Sequence, residues 1–192
     1  MGTKTTSRAH SGAVRIIAGR WRGRKVRLTG DTALRPTPDR VRETLFNWLM
    51  PNIAGARCLD LFAGSGILGL EALSRGAGEV CFVERSMPSA RQIEAALLEF
   101  DCLDARVINA DAMHFLRGLP QVFDLAFVDP PFGSMDLGNL CTLLADGWLS
   151  PGAHIYLELN RMDALPELPP DWTLEREKTA GQVRFALARI AN

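Results

Sequence analysis

The stretch Asp124-Leu-Ala-Phe-Val-Asp-Pro-Pro-Phe132 decides the fold. Its apolar run reads as a buried strand, and it stops in a carboxylate followed by two prolines. Proline holds φ at about −65° and carries no N–H, so strand pairing cannot continue past Asp129. In an open parallel α/β sheet, ligands bind beyond the carboxyl ends of the strands. Asp129 is therefore expected on a stiff turn at a binding crevice. Pro130 and Pro131 would present carbonyls without donors, and Phe132 a ring. A flat base stacked on that ring could donate its exocyclic amine to Asp129 and to a proline carbonyl. Read alone, the same residues also fit a capped structural loop.

Upstream, Cys58-Leu-Asp-Leu-Phe-Ala-Gly-Ser-Gly-Ile-Leu-Gly-Leu-Glu-Ala-Leu-Ser-Arg-Gly76 runs from a short apolar strand through a glycine turn into an amphipathic helix. Gly64 and Gly66 allow a ligand close to the backbone at a helix N-terminus, where free N–H groups point outward. Gly64, Gly66 and Gly69 come near the dinucleotide fingerprint without matching it. Asp60, just before the turn, is an anion where a pyrophosphate would disfavour one. It suits a cofactor bearing an amino group and a sulfonium cation. Val80–Glu84 is the next strand, and Glu84 stands 18 residues beyond Gly66. That is close to the ~20-residue spacing of a ribose-binding acid in βαβ nucleotide folds. A third strand, Ala105–Asp111, ends in an acid that would accept from an adenine amine, cap the next helix, or do both.

The rest of the body keeps this alternation. Leu137–Leu144 reads as a helix and His154–Leu159 as a strand, and Trp172–Lys178 with Val183–Ile190 reads as a hairpin closing the sheet edge. The expected architecture is α/β, a mostly parallel central sheet with helices on both faces.

The N-terminal part differs in character. Residues 1–42 hold 11 Lys and Arg against two acids, whereas the remaining 150 residues hold 11 against 20, so a net charge of zero conceals a basic arm on an acidic body. Residues 1–13 are small and polar and are expected to form a mobile tail. Residues 14–34 are expected to form a basic extension built on two short strands around a Gly19–Gly23 turn, and residues 35–192 the main domain. Arg15, Arg20, Arg22, Arg24, Lys25 and Arg27, interleaved with Trp21, suit RNA: arginine pairs with phosphate, while planar groups stack on exposed bases. Arg35-Pro-Thr-Pro-Asp-Arg-Val-Arg is a helix start. Thr37 is expected to cap and Pro38 to occupy the first helical position. Val41, Leu45, Trp48 and Leu49 form its buried stripe, and Arg40 and Arg42 lie off it, extending the basic surface.

The 192 residues suffice for one good-sized domain, and no apolar run approaches the ~20 residues of a membrane span. Nothing resembles a signal peptide, and Cys58, Cys81, Cys102 and Cys141 match no metal spacing. Free thiols in a reducing cytoplasm are expected, and no metal or membrane partner.

Taken together, Arg15–Arg24, Arg35–Phe46, Asp60–Gly66 and Asp129–Phe132 closely resemble the RsmD family of bacterial methyltransferases, from Val14 to Arg189. The glycine turn and Asp-Pro-Pro-Phe occur in amino-methyltransferases of many kinds; the two arginine-rich stretches make the likeness specific. The family usually has Ala where Ile67 stands. The resemblance implies a Rossmann-like class I S-adenosyl-L-methionine-dependent enzyme. It would methylate N2 of a guanine in 16S ribosomal RNA, acting as a cytoplasmic monomer on partly assembled 30S subunits. Asp60 and the turn Phe62, Gly64, Ser65 and Gly66 would hold the methionine part of the cofactor. Glu84 would take its ribose hydroxyls and Asp111 with Ala112 its adenine, and Arg85 and Asp129 would also contact the cofactor. Asp129, Pro130, Pro131 and Phe132 would be the catalytic turn. Arg35 and Arg40 would join the arm and Phe132 in contacting RNA. The rival readings are an N6-adenine DNA methyltransferase, which shares the Asp-Pro-Pro-aromatic turn, and a non-catalytic RNA-binding assembly factor.

Overall fold

The computed structural model describes residues 12–27, 37–133 and 135–192. Arg35 and most of the proposed tail, residues 1–11, lie outside them, as do residues 28–34 of the extension. The chain begins with an antiparallel pair, β1 (Ala13–Arg15) and β2 (Lys25–Arg27), with Val14 opposite Val26. Ala13, read from the sequence as the end of the tail, is thus the first residue of a strand.

The body follows as α1 (Asp39–Leu49), β3 (Arg57–Asp60), α2 (Ile67–Ser74), β4 (Glu79–Val83), α3 (Met87–Glu99) and β5 (Ala105–Ile108). It continues through α4 (Ala112–Leu116), β6 (Phe123–Val128), α5 (Leu137–Ala145), β7 (Leu149–Asn160), β8 (Trp172–Ala180) and β9 (Val183–Ile190). The sheet order is β5-β4-β3-β6-β7-β9-β8; the first five strands run parallel, and β9 is antiparallel to both its neighbours. Alternate residues of each strand feed two cores. One packs α1, α2 and α3 on one face, and the other packs α4 and α5 on the opposite face. The chain lays down β3, β4 and β5 in one direction, then returns to place β6 on the other side of β3. The carboxyl ends of β3 and β6 therefore flank a topological switch point. Among the described residues, no helix is long and apolar enough to cross a membrane.

The hairpin is not an arm projecting from this body. Its backbone N–H groups at Ile17 and Ala18 donate to the two carboxylate oxygens of Glu71 at 2.8 and 3.0 Å. Trp21 N–H donates to Ser74 Oγ at 2.9 Å, and that hydroxyl donates to Ala18 O at 2.6 Å. Gly19, at φ +82°, closes against α2 so tightly that a Cβ there would lie 1.8 Å from the Ser74 carbonyl oxygen. Val14, Ile16, Trp21 and Val26 all join the core.

Two sequence expectations fail at this contact. Trp21 is only 4% exposed, its ring packed 4.9 Å from that of Phe100 with the Arg20 guanidinium over it. A ring held in the core offers no face to an RNA base. Arg42, expected on the basic surface, is fully buried and bonds Glu71, Asp39 and the Arg15 carbonyl. The hairpin covers the side of α1 that the helix periodicity left polar, and Glu71, itself buried, supplies the counter-charge. The stripe of α1 otherwise stands, with Val41, Leu45 and Leu49 buried and Trp48 half-buried against Phe185.

Candidate active site

The crevice at the switch point is assembled from four strand ends. β3 ends in Asp60, whose side chain is buried and accepts from Gly69 N–H at 3.0 Å. Burial pushes its carboxyl up to about 7; the Gly69 bond opposes the shift and the nearby Glu84 charge adds to it. The turn that follows carries Phe62, Gly64, Ser65 and Gly66, and Gly66 enters α2 at φ +75°. That conformation is costly for any residue with a Cβ, and here a Cβ would also press on Ile93 at 3.0 Å. Gly66 at the cap position has no side chain to cap α2, and Asp60 takes one first-turn donor, Gly69 N–H.

Glu84 stands just past β4, nearly buried, with its carboxylate accepting from Gly64 N–H at 2.7 Å and Ser86 N–H at 2.6 Å. It thereby ties the end of β4 to the glycine turn. Arg85, beside it, is exposed. Asp111 is exposed and caps α4, accepting from His114 N–H at 3.1 Å, while Ala112 is buried. The strand expected to reach Asp111 stops at Ile108, and the exposed Asn109 beyond it donates its amide to the carbonyls of Glu84 and Arg85.

Asp129 follows β6, partly buried, with Pro130 buried beneath the turn and Pro131 and Phe132 exposed. Its Oδ2 accepts from the Thr37 hydroxyl at 3.2 Å. Thr37 is the residue the sequence suggested as a helix cap. Instead Pro38 takes the cap position with no side-chain bond, and the threonine hydroxyl is spent across the sheet. Burial, and next the charge of Glu158, hold the Asp129 carboxyl well above the ordinary carboxylate range, with Thr37 opposing them.

Glu158 and its partner Tyr156 were not singled out by the sequence reading. They lie two apart on one face of β7, and the Tyr156 hydroxyl donates to Glu158 Oε2 at 2.6 Å. The parallel register pairs Val128 with Leu157, so Asp129 and Glu158 follow as neighbours at the carboxyl ends of adjacent strands. The one available signal was an acid set between leucines in an apolar strand, Leu157-Glu158-Leu159.

Beside the turn opens a cavity of about 710 Å³, walled by Pro130, Phe132, Leu137, Asn139, Glu158 and Leu168 among others. The volume lies within the range of small-molecule sites, about 300–1,000 Å³. Phe132, 47% exposed, presents its ring there.

Of the basic residues proposed for RNA, Arg15, Arg20, Arg22, Lys25, Arg27 and Arg40 are exposed. Arg24 is partly committed, its guanidinium stacked 4.1 Å over Phe100 and bonded to the Glu99 carbonyl at 2.7 Å.

A parallel sheet whose switch point carries an acid and a glycine turn on one strand and Asp-Pro-Pro-Phe on the next defines the Rossmann-like fold of methyltransferases. The family described as conserved hypothetical protein 95 matches residues 14–189. The chain belongs to that family, the RsmD family. It is 48% identical over 185 residues to ribosomal RNA small subunit methyltransferase D of Escherichia coli K12, covering 96% of this chain and 93% of the relative. It is also 48% identical over 182 residues to the Haemophilus influenzae protein of the same name, covering 92% and 93%. A solved Escherichia coli structure superposes with a TM-score of 0.88 at 45% identity, covering 94% of this chain and 99% of that one.

Proposed function

We propose that the protein transfers a methyl group from S-adenosyl-L-methionine to the exocyclic N2 of a guanine in 16S ribosomal RNA, as a cytoplasmic monomer acting on assembling 30S particles. The observation that carries this reading is the convergence of Asp60, Glu84 and the Asp129–Phe132 turn on one crevice at the switch point. The names of the Escherichia coli and Haemophilus relatives support ribosomal RNA as the acceptor.

The donor set fits the cofactor. Asp60 offers a carboxyl for an ammonium, the N-terminal turn of α2 suits a carboxylate, and Glu84 offers two oxygens for vicinal hydroxyls. Asp111 and Ala112 would border the adenine, with Phe62, Ser65 and Arg85 completing the walls. S-adenosyl-L-methionine would supply there a methyl on a positive sulfur, the C–S pair staying on sulfur as a neutral thioether and the methylated N2 losing one of its hydrogens as a proton.

The chain's own work is positioning. Guanine N2 is a poor nucleophile because its lone pair is delocalised into the ring. Asp129 and the Pro130 carbonyl accept its two hydrogens, which favours a pyramidal nitrogen with its lone pair aimed at the methyl carbon. Phe132 stacks on the ring and fixes its plane. Holding reactants in register and placing acceptors where positive charge develops are both large catalytic terms. A base drawn from an RNA helix must first be unstacked, at about a few kcal/mol, and the basic surface offsets part of that by holding the phosphates.

The test is mass spectrometry of nucleosides from 16S rRNA of cells lacking the protein. One N2-methylguanosine is expected to disappear, and to return with the wild-type gene but not with Asp129→Ala. A normal N2-methylguanosine content, with N6-methyladenine missing from DNA, would support the DNA methyltransferase instead.

A further inference from the structure

Asp129 and Glu158 place two carboxyl groups side by side at the ends of β6 and β7, and Glu158 lines the cavity against which Phe132 exposes its ring. Among the described residues, the donors facing this pair are two hydroxyls. Tyr156 is committed to Glu158 Oε2 at 2.6 Å, and Thr37 stands at Asp129 Oδ2 at 3.2 Å and also bears on Glu158. A hydroxyl has one proton to give, so Thr37 serves one carboxyl at a time. Among the described residues these two hydroxyls are the donors given to the pair, and Glu158 is the member that lines the cavity. A ligand that brings donors to these oxygens gains hydrogen bonds of the stronger, charge-assisted kind.

We propose that Glu158 is the residue that reads the target base, its carboxylate accepting from guanine N1–H while the adjacent N2 amine lies against Asp129. The inference rests on the guanine-N2 reading above and deepens it. Guanine is the RNA purine whose Watson–Crick edge presents two neighbouring donors, N1–H and the N2 amine. Adenine presents a lone pair at N1, which would face the Glu158 oxygen and be repelled. Asp-Pro-Pro-Phe alone grips any exocyclic amine, so the choice between purines falls to a neighbouring group. Glu158 is in register to make it.

The experiment uses 30S particles whose 16S rRNA carries, by ligation of a synthetic fragment, either guanine or 2,6-diaminopurine at the methylated position. Diaminopurine keeps the N2 amine but has an unprotonated N1. The wild-type enzyme is expected to methylate guanine faster than diaminopurine by a factor on the order of ten to a hundred in kcat/KM. Glu158→Gln, whose amide can turn to donate to N1, is expected to bring the ratio within about threefold, chiefly by losing rate on guanine. A purely structural role would lower both rates together and leave the ratio unchanged, which overturns the proposal. Should Glu158→Gln fail to fold, the wild-type ratio still decides, because equal rates on the two bases overturn it. Methylation of neither base at N2 by the wild-type enzyme would overturn the guanine reading and this inference with it. Methylation with an unaltered ratio in Glu158→Gln overturns this inference alone.

Discussion

Thr37 donates its hydroxyl to Asp129 Oδ2 at 3.2 Å, joining the segment before α1 to the turn after β6 across 92 positions of chain. The bond holds one oxygen of the carboxylate on which the proposed chemistry depends. Thr37→Val keeps the shape and removes the donor. It is expected to lower kcat roughly tenfold, about the worth of one hydrogen bond to a charged group, with S-adenosyl-L-methionine affinity retained. Asp129→Ala should cost on the order of a hundredfold or more, and Asp129→Asn should retain a trace, since its amide oxygen still accepts from an amine. Single-turnover assays with cofactor titration check both, and near wild-type turnover in Asp129→Ala would reduce the turn to a structural role.

Glu84 should matter twice. Its carboxylate now accepts from Gly64 and Ser86 N–H, and the same oxygens are proposed for the ribose. Glu84→Ala is expected to weaken cofactor binding by about 1.5–3 kcal/mol while the protein stays folded. Isothermal calorimetry gives the affinity and circular dichroism the fold; unchanged affinity would remove Glu84 from the site.

Asp60 makes stability depend on pH in a defined direction. Its folded pKa is raised to about 7 from 3.8, so between those values the native state holds a proton that the unfolded chain has lost. Stability contributed by the protonated form is present below the unfolded pKa and is lost as pH rises through about 7. Asp60→Asn lacks this dependence. The stability of the variant minus that of the wild type should therefore grow from pH 4 to pH 7 and level off above, measured by urea unfolding. A constant difference would mean Asp60 ionises freely in place.

The buried cluster under the hairpin predicts an unusually large stability loss. Glu71→Ala leaves the fully buried Arg42 without its carboxylate partner in α2 and strips the acceptor from Ile17 and Ala18 N–H. A loss of about 3–5 kcal/mol is expected, the usual result of breaking one half of a buried ion pair. A loss under about 1 kcal/mol in denaturant unfolding would mean that water reaches the site.

On the RNA side, the exposed cations are the ones to change. Arg22→Ala and Lys25→Ala should leave cofactor binding as it was, and each should flatten the log–log salt dependence of RNA binding by roughly 0.7–0.9 per lost phosphate contact. Deleting the whole hairpin is a poor substitute, because it also uncovers Glu71 and Arg42. Filter binding across a salt series measures the slope, and an unaltered slope would take these residues off the RNA.

The strands and the switch point were legible because apolar runs ended by Gly, Pro or an acid carry their own boundaries. Asp60, Glu84 and Asp129 could be placed at strand ends for that reason. What escaped was chemistry that depends on distant partners. A threonine before a helix is locally a cap, and nothing near Thr37 announces that its hydroxyl crosses the sheet to Asp129. Arg42 reads as surface until Glu71, 29 positions on, is known to lie beside it. Trp21 among arginines looked like a stacking platform, but its ring fills a gap against Phe100. Tyr156 and Glu158 share a strand face by simple alternation; that Asp129 lies next to them depends on the register with β6, which local pattern does not encode.

The seat of the hairpin also fixes an order of events in synthesis. Ile17, Ala18 and Trp21 emerge from the ribosome more than 50 residues before Glu71 and Ser74, which they bond at separations of 54, 53 and 53. Chains appear N-terminus first, and a contact of that separation carries a loop-closure cost that local structure cannot offset. The hairpin is thus anchored only once α2 (Ile67–Ser74) has emerged. Until α2 is complete, the N–H groups of Ile17, Ala18 and Trp21 lack their acceptors in Glu71 and Ser74, and Arg42 lacks the Glu71 carboxylate.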